Sequence, residues 1–309
     1  TLTYTLYGGL RVSIFTDAIQ MVVILILFLI SVAYLISFTG DQFSFSFIKE
    51  KNPHLLSGNY IPNYTAGLTF FIAVAATNLF HQGNWQRVYA AKNNDVLKKS
   101  LILAFIVIIP IVLFMGFSGL VAVSVNSKVI PDLSFFSLLL RDQTEFLSMI
   151  IVILGLSLTI STVDTLINAI SSLIVVDGKA TFNVTNKINY LDFSKYFIVG
   201  LSIVTFIIAS KGFSILYLFL LADLFCCAFV LTVFYSFYNK KINEKTAYTA
   251  IIVGLIGGFL LFPVPDFSKS LLVGIMLPAE LFPAFVSQSL LFLSFLVATF
   301  VPVTIWKLR

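Results

Sequence analysis

Residues 158–168 read Leu-Thr-Ile-Ser-Thr-Val-Asp-Thr-Leu-Ile-Asn, inside an apolar stretch that runs from Phe146 to Val176. A stretch of this length can cross the hydrocarbon core of a bilayer as one helix. Hydroxyl groups and a carboxylate are costly to bury at that depth, so they need partners such as an ion, water or another helix. The sequence therefore predicts a membrane helix that carries polar groups.

The polar side chains of this helix share one face. At about 3.6 residues per turn, most of them fall within an arc of roughly 100°, with Thr162 on its flank. They are Ser157, Ser161, Asp164, Thr165, Asn168 and Ser172. In one interpretation the hydroxyls bond to carbonyls one turn back, and Asp164 pairs with another helix or lines a solvated cavity. We favour the other interpretation, in which the convergent oxygens bind a hard cation such as Na⁺.

The composition is that of an integral membrane protein. Hydrophobic residues make up 59% of the 309 residues, charged residues make up 11%, and the mean hydropathy is +1.02. These values exclude a soluble globular protein. The net charge of +5 does not indicate nucleic-acid binding, because the basic residues lie at helix ends in short loops. Cys226 and Cys227 are adjacent in an apolar run, so we expect no disulfide framework.

Apolar stretches of about 20 residues predict an all-α integral membrane protein with about eight transmembrane helices. The stretches are 14–38, 65–87, 100–124, 146–176, 194–210, 213–238, 246–263 and 281–305. Residues 268–279 are apolar too, but Pro278 interrupts them, and an interfacial or re-entrant segment is expected there. If the first helix runs from the cytoplasm outwards, most of the 19 basic residues lie inside, as the positive-inside rule requires.

Two carboxylates outside the 146–176 helix lie in or near spans. Asp17 follows Gly8-Gly9-Leu10 at the start of the first span, where it either supports the helix N-terminus or faces the bundle and contributes to cation coupling. Asp223 lies within the 213–238 span, where it either lines the permeation path or pairs with a neighbouring helix.

Residues 77–87 are rich in amides around a central glycine, in the cytoplasmic half of the 65–87 span. A regular lipid-facing helix would place too many amides in hydrocarbon, so a broken helix that lines a cavity is expected. We expect Asn78 and His81 to face that cavity. For Gln86 and Arg87 an interfacial anchor is an equally good interpretation. His81 has no metal-ligand spacing around it, so no metal other than sodium is expected.

These segments together resemble the sodium:solute symporter family, whose members include sodium-coupled proline, pantothenate, sugar and urea carriers. Three patterns carry the resemblance, best over residues 1–180. They are Gly8-Gly9-Leu10 through Asp17 to Gln20, Gln86-Arg87 to Ala90-Ala91-Lys92, and Ser161-Thr162 through Ser171-Ser172 to Asp177. The resemblance implies a LeuT-type inverted-repeat fold. The 14–38 helix would end the first repeat, the next five spans would form the second, and the last two would be accessory.

The resemblance also implies site residues. The principal sodium site would use the Leu158 carbonyl and the Ser161 and Thr162 hydroxyls. A second cation site would use Asp17 and Thr165, with Asp164 where some relatives have a hydroxyl. Substrate contacts would correspond approximately to Asn78, His81 and Gln82.

The domain organisation expected from this resemblance is one transmembrane transporter domain over 1–309, with core helices over 14–238 and accessory helices over 246–305. Because the chain does not begin with Met, it is expected to be part of a longer protein. The resemblance implies that the part outside this chain includes the N-terminal core helices.

The function expected is a sodium-coupled symporter in the cell (plasma) membrane. Its partners would be the lipid bilayer, Na⁺ as coupling ion, and a small polar solute of the amino acid, urea, vitamin or sugar class, with no nucleic acid. Two alternatives remain, a sensor module of a signalling protein and a structural or assembly subunit without transport. No nucleophile elbow, P-loop or dinucleotide fingerprint is present, so an enzyme is not expected.

Overall fold

The computed structural model describes residues 2–142, 144–182, 189–238 and 243–307. These residues form an all-α protein, in which extended pairing is limited to isolated bridges within 263–277. The helices are α1 (Leu2–Thr39), α2 (Phe45–Lys51), α3 (Ile61–Phe80), α4 (Gln82–Ala90), α5 (Asn94–Val125), α6 (Ser134–Leu139), α7 (Glu145–Ser172), α8 (Lys179–Phe182), α9 (Tyr190–Ala209), α10 (Ile215–Ser236), α11 (Glu244–Leu261), α12 (Ala284–Gln288) and α13 (Leu290–Lys307). A π-helical turn, Leu173–Gly178, continues α7.

Six segments are long and apolar enough to cross a membrane, namely Leu10–Gln42, Asn94–Val125, Glu145–Thr181, Tyr190–Ala209, Ile215–Ser236 and Glu244–Leu261. Helix α3 has 20 residues and α13 has 18, close to the length that a span requires. Large apolar side chains on α5 face outwards, for example Leu103, Phe105 and Leu113, which are 64%, 66% and 68% exposed. The chain is therefore a multi-pass integral membrane protein, as predicted.

Two predicted spans differ in the structure. Residues 65–87 are not one helix, because α3 ends at Phe80 and His81 adopts an extended conformation (φ −71°, ψ 99°) before α4 begins. The break itself was expected from the amide-rich sequence. Residues 281–305 do not form one span either, because the short helix α12 ends at Gln288, Ser289 leaves the helical conformation (φ −124°, ψ 26°), and α13 begins at Leu290. Hydropathy does not detect the break at Ser289, since apolar residues lie on both sides of it.

The chain divides into two compact units. The first unit comprises Thr1–Leu56 and Gln82–Gly212. Its main core lies among α1, α2, α5, α6 and α7, and is built on residues such as Leu35, Ile48 and Phe135. Within this unit α7 packs against α1, α4 and α9.

The second unit comprises Ser57–His81 and Phe213–Arg309. Its core lies among α3, α10 and α13 and includes Leu224, Cys227 and Phe295. The two adjacent cysteines are free, as expected. Residues 263–283 carry turns, isolated bridges and one 3-10 turn, Ala279–Leu281, so these residues form no helix long enough to be a ninth span. The inverted repeat and the division into core and accessory helices stay predictions.

Candidate functional site

Asp17 connects three helices of the first unit. Its Oδ1 accepts a hydrogen bond from the Ser161 hydroxyl of α7 at 2.8 Å. Its Oδ2 lies 2.5 Å from Nη2 of Arg87 on α4, and the two side chains form an ion pair. The Asp17 side chain is 19% exposed and that of Arg87 is 38% exposed. A carboxylate held in a membrane helix in this way has both a positive counter-ion and a neutral donor.

Arg87 extends the same network to a second hydroxyl of α7. Its Nη2 also donates to Thr165 Oγ1 at 2.8 Å, and its Nη1 donates to the Gly83 carbonyl at 3.1 Å. The bond to Gly83 spans four residues within α4, so the side chain lies back along its own helix, as helical side chains do. The planar guanidinium can serve all three oxygens at once because its donors point in fixed, divergent directions.

Asp164 lies on the buried face of α7, with 0% of the residue exposed. Its Oδ2 accepts a hydrogen bond from the Thr16 hydroxyl at 3.1 Å, and its Oδ1 accepts one from Asn168 Nδ2 at 3.0 Å. The backbone carbonyl of Asn168 in turn accepts a bond from Gln86 Nε2 at 3.1 Å. Asp164 and Asp17 thus both connect α7 to α1, through neighbouring residues of α1.

The residues of the predicted principal sodium site lie one turn apart on α7. Thr162 is exposed, and its hydroxyl donates to the Leu158 carbonyl at 3.0 Å. The Ser161 hydroxyl points to Asp17 instead. Bonding to a carbonyl one turn back also occurs at Ser157 and Thr159, as the less favoured interpretation of the sequence expected. The three predicted ligands are hard oxygen donors of the type that sodium needs, and one hydrogen bond joins two of them.

The predicted substrate contacts lie on either side of the helix break. Asn78 and His81 belong to the second unit, whereas Gln82 is the first residue of α4 in the first unit. Asn78 is exposed, and its amide donates to the Val74 carbonyl at 2.8 Å. Nδ1 of His81 is buried and forms no hydrogen bond within the described residues. The assignment of these three residues to substrate stays a prediction.

Sequence reasoning missed two features of this network. The first is the pairing of Asp17 with Arg87, which lie 70 residues apart in the chain. Opposite charges within predicted spans could have indicated it, because intramembrane charges commonly pair with one another. The second is Thr16, whose hydroxyl contacts Asp164. Thr16 directly precedes Asp17 in the sequence, and this position could have indicated that Thr16 also contacts a neighbouring helix.

Comparisons with known proteins show the family of the chain. A model of the sodium:solute symporter family matches residues 1–254. The spermidine transporter DUR31 of Candida albicans is 28% identical over 238 residues, which cover 76% of this chain and 44% of that protein. The chain therefore spans less than half the length of this curated relative. No solved structure matches the chain. On the extent of the family match, the chain belongs to the sodium:solute symporter family.

Proposed function

We propose that the protein is a sodium-coupled secondary active transporter of the plasma membrane that carries a small polar organic solute by alternating access. One observation carries this proposal. The Asp17 carboxylate lies within a membrane helix and accepts a hydrogen bond from Ser161 of α7, one of the residues at which the family resemblance places sodium. Membership of a family of sodium-coupled carriers supports the same conclusion.

The principal sodium site would use the Leu158 carbonyl and the hydroxyls of Ser161 and Thr162. In the described conformation the Thr162 hydroxyl donates to Leu158, and the Ser161 hydroxyl donates to Asp17. Threonine in a helix has two accessible χ1 rotamers, one of which bonds to the carbonyl of the preceding turn. A change of rotamer at Thr162 would free two oxygens for the ion. Sodium binding would therefore exchange local hydrogen bonds for ion contacts.

The second cation site would use Asp17, Asp164 and Thr165. Here the Arg87 guanidinium already neutralises Asp17 and donates to Thr165. Sodium and Arg87 would compete for the same carboxylate, so that sodium at Asp17 would release Arg87 and α4. Such competition gives sodium a different affinity for two conformations, which is what coupling requires. Each Na⁺ that moves inwards down a potential of 100 mV supplies about 2.3 kcal/mol.

The solute would be a small polar molecule of the amino acid, urea, vitamin or sugar class. The similarity to a spermidine transporter adds polyamines to the classes to be tested. Asn78, His81 and Gln82 are the proposed contacts, because they combine amides and an imidazole at an interruption of the helix. Interrupted helices of transporters commonly form substrate sites.

The test is solute uptake by the full-length protein in proteoliposomes, with and without an inward sodium gradient. The solutes are labelled proline, urea, pantothenate, a sugar and spermidine. We expect the sodium gradient to drive accumulation of one of them, and Thr162→Ala to abolish that accumulation.

Thr159→Ala is the matched control, since Thr159 is also an exposed threonine of α7 with its hydroxyl on the carbonyl one turn back. Its uptake should equal that of the unmodified protein. Sodium-independent uptake, or equal loss of uptake in the two variants, would refute the sodium assignment at Thr162.

A further inference from the structure

Asp223 is a buried carboxylate that the proposed sodium sites do not use. It lies on α10 in the second unit, and 0% of the residue is exposed. Its Oδ1 accepts a hydrogen bond from the Thr77 hydroxyl of α3. Its Oδ2 is buried and has no hydrogen-bond partner within the described residues. One oxygen of the carboxyl group is therefore satisfied by a neutral donor, and the other is not satisfied.

The lysine positions of the described helices packed against α10 lie far from Asp223 along the helix axes. Helix α10 packs against α3, α11 and α13. A Cβ atom added to Gly258 of α11 would lie 3.1 Å from Leu224 and 3.0 Å from Ala298 of α13. Because Leu224 directly follows Asp223, Gly258 and Ala298 lie at about the same height along the bundle as Asp223. Lys245 precedes Gly258 by about 20 Å along α11, and Lys307 follows Ala298 by about 14 Å along α13. Helix α3 carries no charged residue.

None of the remaining titratable groups of these helices forms an ion pair with Asp223 within the described residues. Cys226 and Cys227 lie on α10 itself, three and four residues after Asp223, and a thiol carries no positive charge. The other titratable groups are Tyr217 and Tyr235 on α10, Tyr64 on α3 with His81 just beyond its end, and Glu244 and Tyr248 on α11. The described residues of the second unit contain no ion pair with Asp223.

An ionised carboxylate in these surroundings would be an uncompensated charge inside a membrane helix bundle. The cost of burying such a charge far exceeds what one neutral hydrogen bond returns. A sodium ion or an ammonium group could neutralise it, but either would need several more oxygens around Oδ2, where no polar partner is described. A proton removes the charge altogether, and a neutral buried hydroxyl without a partner costs far less than a buried unpaired carboxylate.

We propose that Asp223 is a proton-binding site, which holds its proton on Oδ2 while Oδ1 accepts the Thr77 hydroxyl. The carboxyl group is neutral in this conformation. Loss of the proton creates a charge that favours a conformation in which Asp223 reaches water or a cation, so protonation at this site biases the conformational equilibrium of the second unit. The inference goes beyond sodium coupling, and it does not require that the proposed function be correct.

Infrared spectroscopy of the full-length protein in lipid nanodiscs tests this proposal without measuring transport. At neutral pH we expect the carbonyl-stretching band of a protonated carboxylic acid, and we expect Asp223→Asn to remove it. Asp192→Asn is the control, because Asp192 is 54% exposed beside Lys195 and should contribute no such band. A spectrum in which Asp223→Asn removes no protonated-carboxyl band would overturn the proposal.

A second variant covers the case in which Asp223→Asn does not fold. Thr77→Val keeps the carboxyl group and removes the hydroxyl that bonds to it. We expect the band to persist at a shifted frequency, because the hydrogen bond to the carboxyl group is lost. Absence of the band from both the unmodified protein and Thr77→Val would show that Asp223 is ionised, and would refute the proposal.

Discussion

Asp17 accepts hydrogen bonds from two other helices, from Ser161 on α7 and from Arg87 on α4. The sequence predicted Ser161 as a cation ligand, and left Asp17 open between capping and cation coupling and Arg87 open between a cavity and an interfacial anchor. It did not indicate which partner each would have. Helical periodicity relates residues within one helix, whereas contacts between α1, α4 and α7 depend on tertiary packing. The same limit applies to Thr16 and Asp164.

The Asp17–Arg87 pair leads to a prediction about sodium and stability. Arg87→Gln leaves Asp17 without its counter-ion, and should lower the free energy of unfolding by about 1–3 kcal/mol, since the pair is only partly buried. The freed carboxylate should then bind Na⁺ more readily, so sodium should raise the melting temperature more in the variant than in the unmodified protein. The measurement is thermal unfolding in sodium chloride and in choline chloride.

Arg141→Gln is the control for loss of an arginine, since Arg141 is exposed and bonds to Gln42 at 2.7 Å. It should leave the sodium-dependent shift unchanged. If Arg87→Gln also leaves that shift unchanged, Arg87 and sodium do not compete for Asp17.

At the scale of helices, hydropathy predicted about eight spans, of which six described segments are long and apolar enough to cross a membrane. The amide-rich composition of residues 77–87 was sufficient to predict the break at His81. The late start of α13 was missed, because the apolar residues of 281–289 adopt turns and one short helix instead of a continuous span. Which face of a nearly all-apolar helix is buried also requires the tertiary structure, as the packing of α11 on α13 shows.

Gly254 on α11 permits close packing against α13, and its replacement tests that contact. A Cβ atom at this position would lie 2.8 Å from Pro302 Cγ and 2.9 Å from the Ala298 carbonyl oxygen. Gly254→Ala should therefore lower the free energy of unfolding by about 1–3 kcal/mol, the usual cost of overpacking. Thermal unfolding in detergent measures the change.

Gly200→Ala in α9 is the matched control, because a Cβ atom there meets nothing within 4 Å. It should leave stability unchanged or raise it slightly, as alanine favours helix more than glycine does. Equal melting temperatures for Gly254→Ala and Gly200→Ala would contradict the close contact between α11 and α13.

At the scale of the whole molecule, the composition and family resemblance were sufficient to predict a multi-pass helical membrane protein of the sodium:solute symporter family. The predicted orientation depends on the positions of the basic residues in the loops. It places Lys51 outside and Lys98 inside, and both residues are exposed. Substrate identity cannot be predicted in this way, because it depends on the exact side chains around a cavity.

Labelling with a membrane-impermeant maleimide tests the orientation in intact cells. We expect Lys51→Cys to react from outside, and Lys98→Cys to react only after the membrane is permeabilised. The protein with only its native Cys226 and Cys227 gives the background. The reverse pattern of labelling would show that the predicted orientation is wrong and that the first helix runs from the outside to the cytoplasm.

Sodium coupling is the central claim, and simultaneous flux measurements test it most directly. The full-length protein is reconstituted in proteoliposomes at a clamped membrane potential, and the entry of radioactive sodium is followed together with that of the transported solute. We predict that solute stimulates sodium entry at a fixed ratio, and that Thr162→Ala abolishes the stimulation while Thr159→Ala preserves it. Solute uptake with no change in sodium flux would contradict the account.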